Sequence, residues 1–384
     1  MTRTCTRDVL SNILCRLRVK SLKRFQCVCK SWYALIRNPS FVTLHLHFHS
    51  RQKKNTHLFT LNHLPDQENK FSDYFKHTYG SIEIFGPRNG IYCLHESTTF
   101  RGDVIALMNV SSREFKFVPK PAEQSIIWHT GSLSKEFIEI GFDPKTNDYK
   151  VVFLKDRIYP TRVRQAAVFH VSSNSWKKLN DPLLSHVTVY RRSCITDTYV
   201  NGNVHWLAFE GDPSRKDGYI LSFDMVGEVF AKIKLPDLRI CEDQYDSVFA
   251  VRNESLSLIV YPMTPHYPME TSYTKCFDVW VMQEYGNDSS WTKQFTIGPI
   301  AFVERLLGFW RNGEFLLEDG WGCTSSYEPS TQKMEKLFFD QCQLLQHSCI
   351  YSESLVSVTG NAKSDFEIVI EDRPSLQLDS RVQT

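Results

Sequence analysis

Residues 138–154 read IEIGFDPKTNDYKVVFL: an apolar run, a polar turn built from Asp, Pro, Lys, Thr and Asn, and a second apolar run rich in Val and Phe. Short β-branched and aromatic runs on either side of turn residues read as two strands joined in a hairpin. The same build recurs in IEIFGPRNGIYCLHE (82–96), TYVNGNVHWLAF (198–209), VFAVRNESLSLIVY (248–261) and LLGFWRNGEFLLED (306–319). Between these stretches lie hairpins of a second kind, a strand, a polar turn and a further aromatic or aliphatic strand, often followed by Pro. They are VIALMNVSSREFKFVPKP (104–121), AAVFHVSSNSWKKLNDP (166–182), YILSFDMVGEVFAKIKLP (219–236), FDVWVMQEYGNDSSWTKQFTIGP (277–299) and SSYEPSTQKMEKLFF (325–339).

The turn asparagines Asn89, Asn147, Asn201, Asn253 and Asn312 step by 58, 54, 52 and 59 residues. Two hairpins per unit at a period near 50 are the mark of a kelch-like propeller blade. Asn89-Gly90, Asn201-Gly202 and Asn312-Gly313 have the chemistry of type I′ turns, whose two central residues both need positive φ. Five units are visible. Pairing the leftover strands near Thr56 (THLFTLNHL) and Cys349 (CIYSESLVSV) would close a ring and hide its edges. The expectation is an α+β multidomain chain, a small helical module followed by an all-β kelch-like propeller of about six blades. A β-sandwich is the alternative, because short alternating strands do not by themselves impose closure. The tryptophans Trp176, Trp206, Trp280, Trp291 and Trp310 read as core fillers at equivalent blade positions.

Ahead of the repeat the period changes. Leu10, Ile13, Leu14 and Leu17 fall at i, i+3, i+4 and i+7, one face of a helix over Arg7–Leu17. Ser21 suits an N-cap before Leu22, Phe25 and Val28, and Ser31 suits one before Trp32, Leu35 and Ile36. Pro39 is expected to stop this third helix, and Phe41 and Leu44 to open one further turn. Helices this short do not persist alone in water, and about 45 residues bury too little to fold unaided. The apolar stripe therefore needs a cover, either the rest of the chain or a partner that accepts a helix face.

The formal charge of +2 conceals a division. Residues 1–60 hold twelve Lys or Arg and one acid, Asp8, a balance of +11; the other 324 hold 33 bases and 42 acids, or −9. A basic segment suggests nucleic acid, but Phe25 and Trp32 fall on the apolar stripe and not beside the charges as a stacking platform. Eleven cysteines without a C-x-x-C pair read as buried or free thiols of a reducing compartment. No run of about 18 apolar residues suggests a membrane span, and the expectation is a soluble cytosolic or nuclear protein. The sequons at Asn109, Asn253 and Asn287 are then silent. Hydrolase, phosphate-loop and zinc-helix motifs are not found, so neither catalysis nor a cofactor is expected. His45, His47 and His49 in LHLHFHS would share one face of an extended segment, and they read as a solvated link, not a metal site.

DVLSNILCRLRVKSLKRFQCVCKSWYALIRNPSFVTLH resembles the F-box, and VKSL-x-RF-x-CVCKSWYALI the plant form of that motif. The resemblance implies a module at 1–48 that binds a Skp-type adaptor and through it the cullin scaffold of a ubiquitin ligase. The positions that match adaptor-facing and packing positions are Leu10, Ile13, Leu14, Leu17, Val19, Leu22, Val28 and Trp32. Two departures stand out: Cys5 and Thr6 occupy the place of a usual Leu-Pro, and Arg18 that of a usual Pro. Skp-type adaptors are acidic as a family, so a +11 segment would be steered toward one.

IGFDPKTNDYKVV, AVFHVSSNSWKKL, VNGNVHWLAF, YILSFDM and SSWTKQFTIGP resemble the F-box-associated domain of a large plant family, here over 56–358. SYEPSTQKMEKL and IYSESLVSV are most similar to the pollen S-locus F-box group, which implies pistil S-RNases, basic as a family, as targets. The two resemblances span about 350 of the 384 residues. Candidate target-binding loops are Asp156–Arg164, Glu210–Asp217, Ile240–Asp246 and Tyr261–Tyr273, with Tyr159, Arg162, Arg215, Asp243, Tyr245, His266 and Tyr267 as the candidate contacts. Residues 359–384 read as a flexible tail.

Overall fold

The structure, a computed structural model, describes residues 7–51, 56–60, 82–96, 104–121, 134–157, 163–185, 187–190, 198–210, 218–238, 245–263, 274–310, 313–319, 323–337 and 348–359. Four helices come first: α1 (Arg7–Leu14), α2 (Val19–Phe25), α3 (Lys30–Ile36) and α4 (Pro39–Arg51). They depart from the sequence expectation at nearly every end. α1 stops at Leu14, α2 is capped by Arg18 and not Ser21, and α3 by Cys29 and not Ser31. Cys27 and Cys29 therefore sit between helices, both exposed. Pro39 ends α3 only by opening α4, where its missing N–H costs nothing, and the Asn38 side chain caps that helix by accepting from Ser40 N at 2.9 Å. α4 runs for 13 residues, so the three histidines are helical and not extended.

The β domain is built of five four-stranded antiparallel sheets. A strand β1 (Thr56–Thr60) precedes them. Blade 1 holds β2 (Ile82–Arg88), β3 (Ile91–Glu96), β4 (Val104–Asn109) and β5 (Glu114–Phe117). Blade 2 holds β6 (Ser134–Asp143), β7 (Asp148–Arg157), β8 (Val163–His170) and β9 (Ser175–Leu179). Blade 3 holds β10 (Val187–Tyr190), β11 (Asn203–Glu210), β12 (Gly218–Asp224) and β13 (Val229–Lys234). Blade 4 holds β14 (Tyr245–Arg252), β15 (Ser255–Pro262), β16 (Thr274–Met282) and β17 (Trp291–Ala301). Blade 5 holds β18 (Val303–Phe309), β19 (Phe315–Asp319), β20 (Thr324–Glu328) and β21 (Lys333–Lys336). The last strand is β22 (Ser348–Ser352).

Side chains alternate across a strand, and each blade uses both faces. Val151 and Phe153 pack toward blade 1 beside Phe85, Cys93 and Leu107, while Val152 and Leu154 pack toward blade 3 beside Trp206 and Leu221. Burial on both faces is why inner strands such as β3 read as continuous apolar runs. Further clusters join blades 3 and 4 through Ile220 and Leu258, and blades 4 and 5 through Phe277 and Leu317. The last joins blade 5 to blade 1 through Leu307, Leu316, Tyr92 and Met108. Each four-stranded sheet has an apolar neighbour on both sides, which is a closed ring and not a sandwich.

The ring has five blades where about six were expected. β1 and β22 do pair, Thr56 opposite Ser352 and Thr60 opposite Ser348. They form a two-stranded sheet outside the series, because blade 5 already meets blade 1 directly.

The turn asparagines behave as their chemistry requires. Asn89, Asn147, Asn201 and Asn253 all have φ between 49° and 53°, and Gly90 and Gly202 follow two of them with φ near +80°. Asn312 lies outside the described residues. Of the tryptophans, Trp176 and Trp291 are true equivalents. Each opens or nearly opens the outer strand of its blade and donates Nε1–H to a carbonyl 57 residues earlier, Pro119 O at 2.6 Å and Lys234 O at 3.1 Å. Trp206 lies on β11, Trp280 on β16 and Trp310 just after β18, so they are not equivalents. Cys15, Cys27, Cys29, Cys93 and Cys276 are free thiols, whereas Cys323 is disulfide-bonded, a departure from the expectation of free thiols throughout.

Candidate functional site

The helical module has a small core: Leu14, Cys15, Val19, Leu22, Leu35, Ile36 and Phe41, joined by Leu355 from the far end of the chain. Of the eight positions singled out from the sequence, Leu14, Val19 and Leu22 are in that core. Leu10, Leu17 and Trp32 are half-buried against it, Trp32 edge-on to Phe25 with ring centroids 5.3 Å apart. Only Ile13 (54% exposed) and Val28 (61%) present themselves to solvent.

Sequence reasoning missed Val9 and Tyr33, which are exposed at 49% and 46%. For Val9 the signal was the width of the apolar arc of α1: Leu10 and Leu14 form an inner pair, and Val9 and Ile13, also four residues apart, an outer one. Arg16, Lys20, Arg24, Lys30 and Arg37 of the same module are exposed, and Arg37 lies over the Tyr33 ring at 5.3 Å. Exposed apolar and basic side chains on one small module suit a partner that offers apolar and acidic groups.

Helical geometry sets the three histidines apart. His45 and His49, one turn apart, are buried with ring centroids 4.2 Å apart, and His47 points elsewhere to solvent. His45 Nε2 lies 3.0 Å from Leu17 O, which ties α4 to the end of the α1 turn. Burial first, and the neighbouring His49 second, hold His45 down at about 4. It is a neutral packing residue.

The propeller has two unlike ends. At one, strands are joined by tight turns: Asn89-Gly90, residues 110–113, 144–147, 171–174, 225–228 and Asn253-Glu254. At the other, the chain leaves paired strand ends for longer connections: Glu96 and Val104, Arg157 and Val163, Glu210 and Gly218, Pro262 and Thr274. The candidate target loops all leave from this second end. Tyr159, Arg162, Arg215, Asp243, His266 and Tyr267 lie outside the described residues. Tyr245 opens β14 and is half-buried, packed on the cluster between blades 3 and 4. The helices meet the opposite end, where Lys23 Nζ pairs with Glu114 Oε1 at 2.8 Å beside the β4–β5 turn. The exposed apolar side chains of the helices and the loop end of the ring are thus separate surfaces.

Residues 6–44 match the F-box domain, and residues 89–358, well over half of the chain, match the F-box associated beta propeller domain. The chain belongs to this F-box associated beta propeller family. It is similar to F-box protein CPR1 of Arabidopsis thaliana, 25% identical over 325 residues that cover 77% of this chain and 73% of the relative. It is also similar to F-box protein At3g07870 of the same plant, 24% identical over 404 residues covering 91% and 90%. Among solved structures it is similar to 1,3Gal43A, an exo-beta-1,3-galactanase from Clostridium thermocellum, with a TM-score of 0.40 and 8% identity over 82% of this chain and 69% of that one. That likeness is too slight to bear on function. Among the described residues, no helix is long and apolar enough to cross a membrane.

Proposed function

We propose that this protein is the substrate-recognition subunit of a Skp-cullin-F-box ubiquitin ligase, with residues 1–48 as the adaptor-binding module and 56–358 as the target-binding one. The observation that carries the reading is that Val9, Ile13, Val28 and Tyr33 stay exposed on a helical module whose core is filled by its own residues and Leu355. Several large apolar side chains left exposed on one small module, among exposed bases, suit an interface. The chain acts by proximity. Holding a target at the loop end while the helices hold the adaptor raises the target's effective concentration at the ubiquitin-charged enzyme, with no bond chemistry by its own residues.

The variants that test this must leave the core alone. Leu14→Asp or Leu22→Asp would place a carboxylate in a buried apolar site and unfold the module. Ile13→Asp and Val28→Asp change only the exposed row. Wild type is expected to co-purify with a Skp-type adaptor and a cullin, and the double variant to lose both. A wild type that captures no adaptor contradicts the reading.

For the target, we propose a basic secreted protein of the S-RNase kind, in a cytosolic setting. Its support is the −9 balance of residues 61–384 and the likeness of SYEPSTQKMEKL to the S-locus group. An acidic receptor and a basic target attract at long range. Capture from pistil extract with none from leaf extract is expected; equal capture from both would make the target an unrelated plant protein.

A further inference from the structure

Residues 353–358 follow β22 and lie between the helices and blade 1, touching both along their length. On the helical side the buried Glu353 carboxylate accepts from Arg18 Nε at 2.7 Å through Oε1 and from the Val19 backbone N–H at 2.7 Å through Oε2. The first turn of a helix has N–H groups without helical partners, and Arg18, the N-cap of α2, offers no side-chain cap. Glu353 supplies it from 334 residues away. Two residues on, Leu355 is 7% exposed and packs in the core with Leu14, Val19 and Leu22.

On the propeller side each neighbour is fastened to blade 1. Asn109 Nδ2 donates to Ser354 O at 3.1 Å and to Val356 O at 2.7 Å. Ser354 N donates to Ser111 Oγ at 3.2 Å. Val358 N donates to Glu114 Oε2 at 3.1 Å, while the other oxygen of that carboxylate takes Lys23 Nζ of α2 at 2.8 Å. Val356 and Val358 pack in the cluster between blades 1 and 2. The approach is close: a Cβ on Gly90 would stand 2.4 Å from Ser354 Cβ.

Alternating residues thus face opposite ways, Glu353 and Leu355 to the helices, Ser354, Val356 and Val358 to the ring. We infer that residues 353–358 form a strap that completes the adaptor-binding module and sets its orientation on the propeller, with Glu353 and Leu355 as positioning residues. Adaptor affinity, generated at Val9, Ile13, Val28 and Tyr33, then depends on side chains more than 300 residues away. A fixed orientation also defines the span between adaptor and target, the quantity on which an effective concentration depends. The link to affinity rests on the adaptor reading above; the strap itself does not.

The test uses the full chain and two variants, Glu353→Gln and Leu355→Asp, with two readouts. Amide exchange over residues 19–25 is measured without adaptor, and the Kd for a Skp-type adaptor by titration. Expected are exchange in α2 faster by about 10-fold for Glu353→Gln and 100-fold or more for Leu355→Asp, with blades 3 and 4 unchanged. Adaptor Kd should rise about 5-fold and more than 10-fold in the same order. Unchanged α2 exchange in both variants overturns the strap. Faster exchange with unchanged Kd overturns its role in adaptor binding. If wild type binds no adaptor, the functional reading fails while exchange still decides the strap.

Discussion

At Arg18 the chain carries a bulky cation where the F-box usually has proline, yet its backbone sits at φ −64°, ψ 149°, a conformation proline itself would adopt. The fold keeps the geometry and adds an ion pair to Glu353. Glycine shows the converse, a position where size decides. Gly90 and Gly202 share φ near +80°, but only Gly90 has a neighbour, Ser354, inside Cβ range. Gly202→Ala should cost about 1 kcal/mol and Gly90→Ala roughly 2–3 kcal/mol in denaturant unfolding, the difference reporting the packed strap. Buried histidines govern the acid limb. Burial holds His45 and His205 at about 4, and His205 is bonded through Nδ1 to Thr198 O and through Nε2 to Tyr285 OH. Both are neutral in the fold and protonate in the unfolded chain from about pH 6.5 downward. Their stabilisation is complete above that value and is lost between about pH 6.5 and 4, by roughly 2–3 kcal/mol per histidine. Unfolding midpoints at pH 7.5 and 4.5 measure the loss, and His205→Phe should flatten the slope while lowering stability at pH 7.5.

Elements were legible where their residues report on the chain next to them. Asn89, Asn147, Asn201 and Asn253 foretold left-handed residues because Asn adopts that backbone more readily than most side chains, and Trp176 and Trp291 took equivalent places because each bonds the neighbouring blade. Helix ends were less legible. Arg18 starts α2 in place of Ser21 because Glu353, a tertiary partner, supplies the cap that local chemistry was expected to supply; Cys29 starts α3 in place of Ser31 with no side-chain cap of its own. LHLHFHS alternates in sequence and is helical in the fold because His45 and His49 on one side of α4 found a buried seat. Between blades 2 and 3, Lys150 is buried with Asp143 Oδ2 at 2.9 Å, Glu228 Oε1 at 2.8 Å and Met225 O at 2.6 Å. Lys150→Ala removes the buried cation that Asp143 and Glu228 share and should cost about 3 kcal/mol in unfolding free energy. Trp176→Phe and Trp291→Phe, on separate blade pairs, should each cost about 1 kcal/mol and add when combined.

On the scale of the whole molecule the charge division was visible in the sequence and the blade count was not. The number of units is a local property, five repeats, but where β1 and β22 go depends on whether blade 5 reaches blade 1, which Leu307, Leu316 and Tyr92 decide. Nor could spacing alone tell an inner row of helical residues from an outer one: Leu14 and Ile13 are both apolar, and their difference is the presence of Leu355 and the other core members on one side only. The segment IYSESLVSV illustrates the same limit. Its likeness to a plant subgroup pointed toward a target, whereas residues 353–358 within it are occupied in joining helices to ring. The proposed adaptor interface lies at the exposed apolar side chains Val9, Ile13, Val28 and Tyr33 of the helical module. A calorimetric titration of the full chain with a Skp-type adaptor, wild type against Ile13→Asp/Val28→Asp, tests it most directly. Expected are a one-to-one complex for wild type and binding weaker by about 100-fold or more in the double variant, whose melting temperature stays within about 2 °C of wild type. No heat of binding for wild type, or equal binding by both chains, would contradict it.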